Sequence, residues 1–328
     1  MTKISLATYT LTVKEKKKKT AVEEEKKHLE DEKFLKLDNL NYSTLFQFQK
    51  GPQTVLGILE DLFTDKPVGY AKNEKAITIN EYEIDDMRHM IYGTFYYGTY
   101  GSEQPVIDVN RENFEESKKI KIGKKDCPVT PYYFLIKIPV GREEGLMIFE
   151  KKGNSGIKTT FENWLKSYLQ EKQLPLEFKI DPFTPENVIL KFAEEGKVRE
   201  IRYLSYSLPK EDIELLKDYN PNEGFYEIRF VFPSRIDKLK KVPEKLQKIL
   251  SGKKDVEIND KMLGGADPDD IKIKVVLDKT PRTFTISNPT KAAPYRDVSM
   301  EITKGDDGHP DFESIHSIAL DYSDEIFK

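Results

Sequence analysis

Residues 130–170 read TPYYFLIKIPVGREEGLMIFEKKGNSGIKTTFENWLKSYLQ. Residues 132–138 are aromatic and branched, with Pro131 before them and Pro139 after them. Neither proline can donate to a ladder, so the spacing predicts a buried strand between them. Gly141 and Gly145 frame a polar turn, and 146–149 returns as the second strand of a hairpin. The run KKGNSG at 151–156 breaks the pattern. Beyond it Ile157, Phe161, Trp164, Leu165, Tyr168 and Leu169 fall on one face of a helix. Asn154 or Ser155 is placed to cap its first turn, and Pro175 limits its continuation.

The rest of the chain is read outward from this hairpin and helix. With 328 residues it has room for one large or two ordinary domains. Apolar residues are 38% and charged residues 34%, so aromatic side chains must supply much of the core volume beneath a heavily charged surface. The formal net charge of −4 excludes a uniformly basic coat for nucleic acid or anionic membrane and leaves local clusters. The single cysteine, Cys127, permits no internal disulfide and no cysteine cage for a metal. That usage fits a reducing compartment. No apolar run has the length of a membrane span and none resembles a signal peptide. The expectation is a cytoplasmic protein without membrane contact.

Toward the N-terminus, 3–13 alternates as a first strand, and 14–33 is a charged excursion too poor in apolar residues to pack. Residues 55–63 suit a short helix or a strand; 76–84 and 90–100 suit strands. Leu174, Pro175 and Leu176 form the expected linker. After it, 177–180 reads as a strand, Thr184 with Pro185 as a helix start, and 198–206 and 225–232 as strands. Residues 209–218 and 236–250 read as helices, 271–277 with 283–287 as a hairpin, and 298–302 as a last strand. The expected fold class is α+β: a β-rich module over 1–174 with a central hairpin and helix, then an α+β module over 175–328 with a mainly antiparallel sheet and an acidic C-terminal tail.

Several groups invite chemistry. Gly153, Ser155, Gly156, Lys158 and Thr159 sit between a strand and a helix, as in a phosphate loop, but the spacing of glycines and lysine is wrong for one. A looser anion site at the helix N-terminus is the expectation. Lys118, Lys119, Lys121, Lys124 and Lys125 form one basic cluster, and Lys238, Lys241, Lys245 and Lys248 would lie along one stripe of a helix, where they could track phosphates. Cys127 lies among lysines that would lower its pKa. A magnesium nuclease would need an acid and an acid-x-Lys pair; Asp108 with Glu115, Glu116 and Lys118, or Glu177 with Lys179, contain those types. His309 and His316 share the acidic tail with no helical ligand spacing, so no metal and no cofactor are expected.

The order PYYFLIKIP followed by EGLMIFEKKGNSGIKTTFENWL resembles bacterial prophage and phage-defence-island proteins. The resemblance covers a short part of the chain and brings no site residues with it. The functional expectation is a non-enzymatic binding protein that contacts nucleic acid, or a protein partner that handles it, in phage defence. The alternatives are a magnesium-dependent nuclease and a structural subunit of a complex or oligomer.

Overall fold

The computed structural model describes residues 3–16, 34–40, 54–65, 70–107, 116–205, 226–232, 240–242, 244–250, 269–277, 280–292 and 295–326. The protein is a mixed α+β chain with antiparallel sheets. It divides into two compact units, Met1–Asp181 with Tyr295–Lys328, and Pro182–Pro294. The division falls elsewhere than at Leu174. Residues 176–182 form a strand beside the first strand of the chain, so they belong to the first unit's sheet, and the C-terminal segment returns to that unit.

The first unit is built on β1 (Ile4–Glu15), β2 (Tyr70–Lys72), β3 (Lys75–Asp85), β4 (Met90–Thr99), β7 (Val129–Lys137), β8 (Glu144–Lys152) and β10 (Leu176–Pro182). Their order is β10-β1-β8-β7-β4-β3-β2, with β9 (Ser155–Gly156) added to β8 and β16 (Tyr295–Asp297) added to β1. A separate ribbon pairs β5 (Gln104–Ile107) with β6 (Glu116–Ile122). The 132–149 hairpin forms as expected, with Phe134 opposite Phe149 and Ile136 opposite Met147.

One face of this sheet carries helices α1 (Val55–Asp65) and α2 (Lys158–Glu171). The ambiguous 55–63 segment is a helix because Val55, Ile58, Leu59, Leu62 and Phe63 repeat on one side. The Thr54 hydroxyl accepts the Gly57 N–H at 3.0 Å and caps it. Trp164 is 2% exposed and packs against Phe63, Phe95 and Phe161. Neither Asn154 nor Ser155 caps α2. Ile157 occupies the cap position without a side-chain bond, and the Ser155 hydroxyl bonds to that of Tyr132.

The other face is covered from the C-terminus. Residues 298–302 form a turn instead of the expected strand, and β16 precedes it. The Ser299 hydroxyl and the Val298 N–H bond the ends of Ile4, which ties this turn to β1. The acidic tail contains a helix, Phe312–Ile326, whose Ile315, Ala319 and Tyr322 are buried at helical spacing. The sheet is buried on both faces, which is why β7 and β8 read as continuous apolar runs.

The second unit holds β11 (Lys197–Ser205), β12 (Tyr226–Val231), β13 (Lys240–Lys241), β14 (Asp270–Leu277) and β15 (Thr280–Thr285), ordered β12-β11-β14-β15 with β13 on β11. Its core joins Val198, Tyr203, Ile271, Ile273, Val275 and Phe284 to Ile189, Phe192 and Ala193 of α3 (Glu186–Glu195) and Leu250 of α4 (Glu244–Leu250). Thr184 does not cap α3. It is fully buried, and its hydroxyl and N–H bond the carbonyls of Ala292 and Thr290. The long helix expected over 236–250 is interrupted. Lys240 and Lys241 pair with β11, and the helix begins at Glu244. Pro243 explains the break, because the residue before a proline is pushed out of helical geometry. The helix expected over 209–218 and residues 17–33 of the charged excursion lie outside the described residues.

Candidate functional site

Strand β11 turns Val198, Ile201 and Tyr203 toward the second unit's core. A shift of pairing between Val198 and Glu200 then sets Glu200, Arg202 and Leu204 on the opposite face. On that face Arg202 stands directly opposite Arg229 of β12 and Lys272 of β14. Three cations therefore form a row across three neighbouring strands, with about 4.5–5.5 Å between adjacent Cβ atoms. Lys274 stands in the next row, opposite Glu200.

Like charges at this spacing repel, and Glu200 compensates part of the cost. It is 3% exposed; one carboxylate oxygen accepts from Arg202 Nε and the other from Arg229 Nη2 at 2.6 Å. Burial pushes the Glu200 carboxyl up, but the hydrogen bonds and charges of Arg229 and Arg202 outweigh it and hold the group below the usual range. Glu227 lies 3.9 Å from Arg202, and Asp270 accepts from the Ser287 hydroxyl and the Ile271 N–H. Both guanidinium groups are thus held in fixed directions while half-exposed. A planar fork in that state suits a phosphate.

The lysines expected from sequence are distributed differently. Lys121, Lys124 and Lys125 are exposed on and after β6, where Lys118 and Lys119 also lie, although the latter two side chains are outside the described ones. Lys238 is outside the described residues; Lys241 is on β13, and Lys245 and Lys248 are on α4. Lys241 therefore does not share a helix stripe with Lys245 and Lys248. At the expected anion loop the Gly153 N–H donates to the Lys3 carbonyl at 2.7 Å, and Lys158 pairs with Glu162 at 2.8 Å. Gly156 and Thr159 are exposed, and Gly156 pairs with Lys151 across the β8–β9 turn. Glu177 pairs with Lys14 and Lys179 with Asp181, so that acid-x-Lys pair is spent on its own neighbourhood. Among the described residues no three His, Cys, Asp or Glu side chains converge to hold a metal ion. Burial pushes the Cys127 thiol up, opposite to the lowering expected from nearby lysines.

Two clusters in the first unit escaped the sequence reading. Glu150 and Lys152 lie where β7 and β8 separate beyond Phe134 and Phe149. There the side chains replace the ladder: Glu150 accepts the Tyr133 N–H at 2.9 Å, and Lys152 donates to the Pro131 carbonyl at 2.7 Å. Their ion pair is 3.4 Å long. The second cluster is aromatic. His316 stacks on Tyr92 with ring centres 4.2 Å apart, and its Nδ1 is 2.8 Å from the Tyr133 hydroxyl. The acid-x-Lys spacing at 150–152 was a visible signal; the stack, which joins residues far apart in sequence, was not.

Burial lowers the His316 pKa below its usual 6.5, against the raising charges of Glu313 and Glu83 and with the lowering charge of Arg88. Between pH 6.5 and the lower folded pKa the unfolded chain binds a proton that the folded chain refuses, so stability must fall as pH falls through that window. The expected result is a drop in the first unit's thermal midpoint below pH 6.5. His316→Phe should flatten that slope; an unchanged slope would assign it to other groups.

No protein-family model matches this chain, and no curated protein matches it. Among the described residues no helix is long and apolar enough to cross a membrane.

Proposed function

We propose that this chain is a non-enzymatic binding protein of the bacterial cytoplasm that contacts nucleic acid through the second unit's sheet. The observation that carries the reading is the row Arg229, Arg202 and Lys272, aligned by strand register. A fold that sets three cations side by side gains when an extended polyanion lies across them. Phosphate contacts of this kind position a strand without reading bases. The single cysteine supports a reducing compartment. The resemblance of 131–165 to prophage and phage-defence proteins supports the bacterial setting and a role in defence.

The test is a salt titration on unrelated duplexes and single strands, with and without magnesium. Wild type is compared with the triple variant Arg229→Gln, Lys272→Gln, Lys274→Gln, which leaves the apolar face untouched. Binding should weaken about equally for all sequences, and the slope of log K on log salt should flatten by roughly 0.9 per lost duplex contact and 0.7 per single-strand contact. No binding at low salt sinks the reading. Equal slopes for both proteins mean that the row is a solvated face. Cleavage that stops with chelator would replace the binder with a nuclease.

A further inference from the structure

The first unit contains a second site of opposite charge, and it does not depend on the nucleic-acid reading. A cleft of about 460 Å³ opens on the sheet face beneath the C-terminal segment. Its construction starts in β3. Pairing with β4 shifts between Ile79 and Glu81, so Asn80 is an extra residue and both Asn80 and Glu81 border the cleft. The Asn80 amide donates to the Thr94 hydroxyl at 2.9 Å, and that hydroxyl donates to Glu81 Oε1 at 3.1 Å. Just beyond the bulge, Gly93 pairs with Tyr82 and has no room for a side chain. A Cβ at Gly93 would stand 2.1 Å from the Glu81 carbonyl oxygen.

Glu150 reaches the same cleft from β8. It is 2% exposed, and its Oε2 accepts the Tyr133 N–H. Its Oε1 is shielded from solvent and accepts no hydrogen bond. The ammonium of Lys152 stands 3.4 Å from it as an ion-pair partner and spends its hydrogen bond on the Pro131 carbonyl at 2.7 Å. A buried carboxylate oxygen with an ion-pair partner but no hydrogen bond has room to accept one.

The remaining wall comes from the turn before the C-terminal helix. Asp306, Asp307 and Asp311 line it together with Phe312. Asp311 caps the helix through the Ser314 N–H at 2.9 Å, and Asp307 accepts the His309 N–H at 2.9 Å. The cleft is lined by five carboxylates, those of Glu81, Glu150, Asp306, Asp307 and Asp311, and, among the described residues, by no lysine or arginine. Lys152, beside Glu150, offsets one of them. Tyr96, Tyr133 and Phe312 add aromatic surface, and ring faces attract cations.

We infer that this cleft binds a small organic cation bearing primary ammonium groups, of the linear polyamine class. Each feature selects against a simpler ligand. A bare divalent ion needs several oxygens converging at one point, and no such cluster occurs among the described residues. A quaternary ammonium offers no N–H to Glu150. A chain of separated ammonium groups matches carboxylates on different walls, and its methylene links suit the aromatic rings. The volume falls within the usual range for small-molecule sites, roughly 300–1,000 Å³.

The experiment is calorimetric titration of the full chain with spermidine, putrescine, choline and magnesium chloride at low and moderate salt. Spermidine should bind more tightly than putrescine, and choline and magnesium at least tenfold more weakly than spermidine. The variant Glu81→Gln with Asp306→Asn should weaken spermidine about tenfold or more. Both residues are exposed at the rim, and a thermal melt checks that the fold persists. The control variant Asp86→Asn with Glu103→Gln removes two exposed acids outside the cleft and should leave affinity unchanged. The inference is overturned if spermidine does not bind at low salt, if choline or magnesium binds as tightly, or if both variants weaken binding by the same factor. The last result would mean attraction to overall negative charge.

Discussion

Trp164→Ala is expected to destabilise the first unit by about 3–5 kcal/mol. The indole lies between α1, α2 and the sheet, 2% exposed and within ring-contact distance of Phe63, Phe95 and Phe161. Truncation removes its buried area and leaves a cavity that the surrounding helices and sheet are too well fixed to close. Trp164→Phe should cost much less, because the indole Nε1 has no hydrogen-bond partner to lose. Denaturant unfolding followed by far-UV dichroism measures both. Native tryptophan emission should be blue-shifted from that of the unfolded chain. Emission typical of water in the native protein would contradict the packing.

Glu150→Ala should be comparably damaging, about 3–5 kcal/mol, for an electrostatic reason. The change leaves Lys152, whose side chain is 13% exposed, without its carboxylate, and leaves the Tyr133 N–H without its acceptor. Burial already pushes Lys152 down and Glu150 up, so each depends on the other to stay charged. Removing both partners, Glu150→Ala with Lys152→Met, should recover part of the loss. A double-mutant cycle should return a coupling of about 1 kcal/mol or more. A coupling near zero would make Glu150 a hydrogen-bond acceptor only.

The two residues show where sequence reading succeeds and where it stops. Trp164 was legible because a helix writes its buried face at spacings of three and four, and the strands at 132–138 and 146–149 stand on either side of a short turn. Glu150 was not legible as a buried group. Its burial depends on the separation of β7 and β8 and on a C-terminal segment more than a hundred residues away. The lysine runs meet a related limit. Charge density along the chain does not say whether a side chain meets an acid, a carbonyl or solvent. Lys152 and Lys158 were claimed by Glu150 and Glu162, while the aligned row came from Arg202, Arg229 and Lys272, which lie on three strands separated in sequence.

Local periodicity and turn chemistry, acting over a few residues, determined the α+β class, the central hairpin, the Trp164 helix and most strand positions. The tertiary structure alone decided the course of the chain between units, with β10 and the C-terminal helix both joined to the first. It also decided the bulge at Asn80, the cationic row and the acidic cleft. Each of these depends on strand register and on contacts between distant segments. A shift of one residue in that register would reverse which side chains share a face, and no local pattern records it.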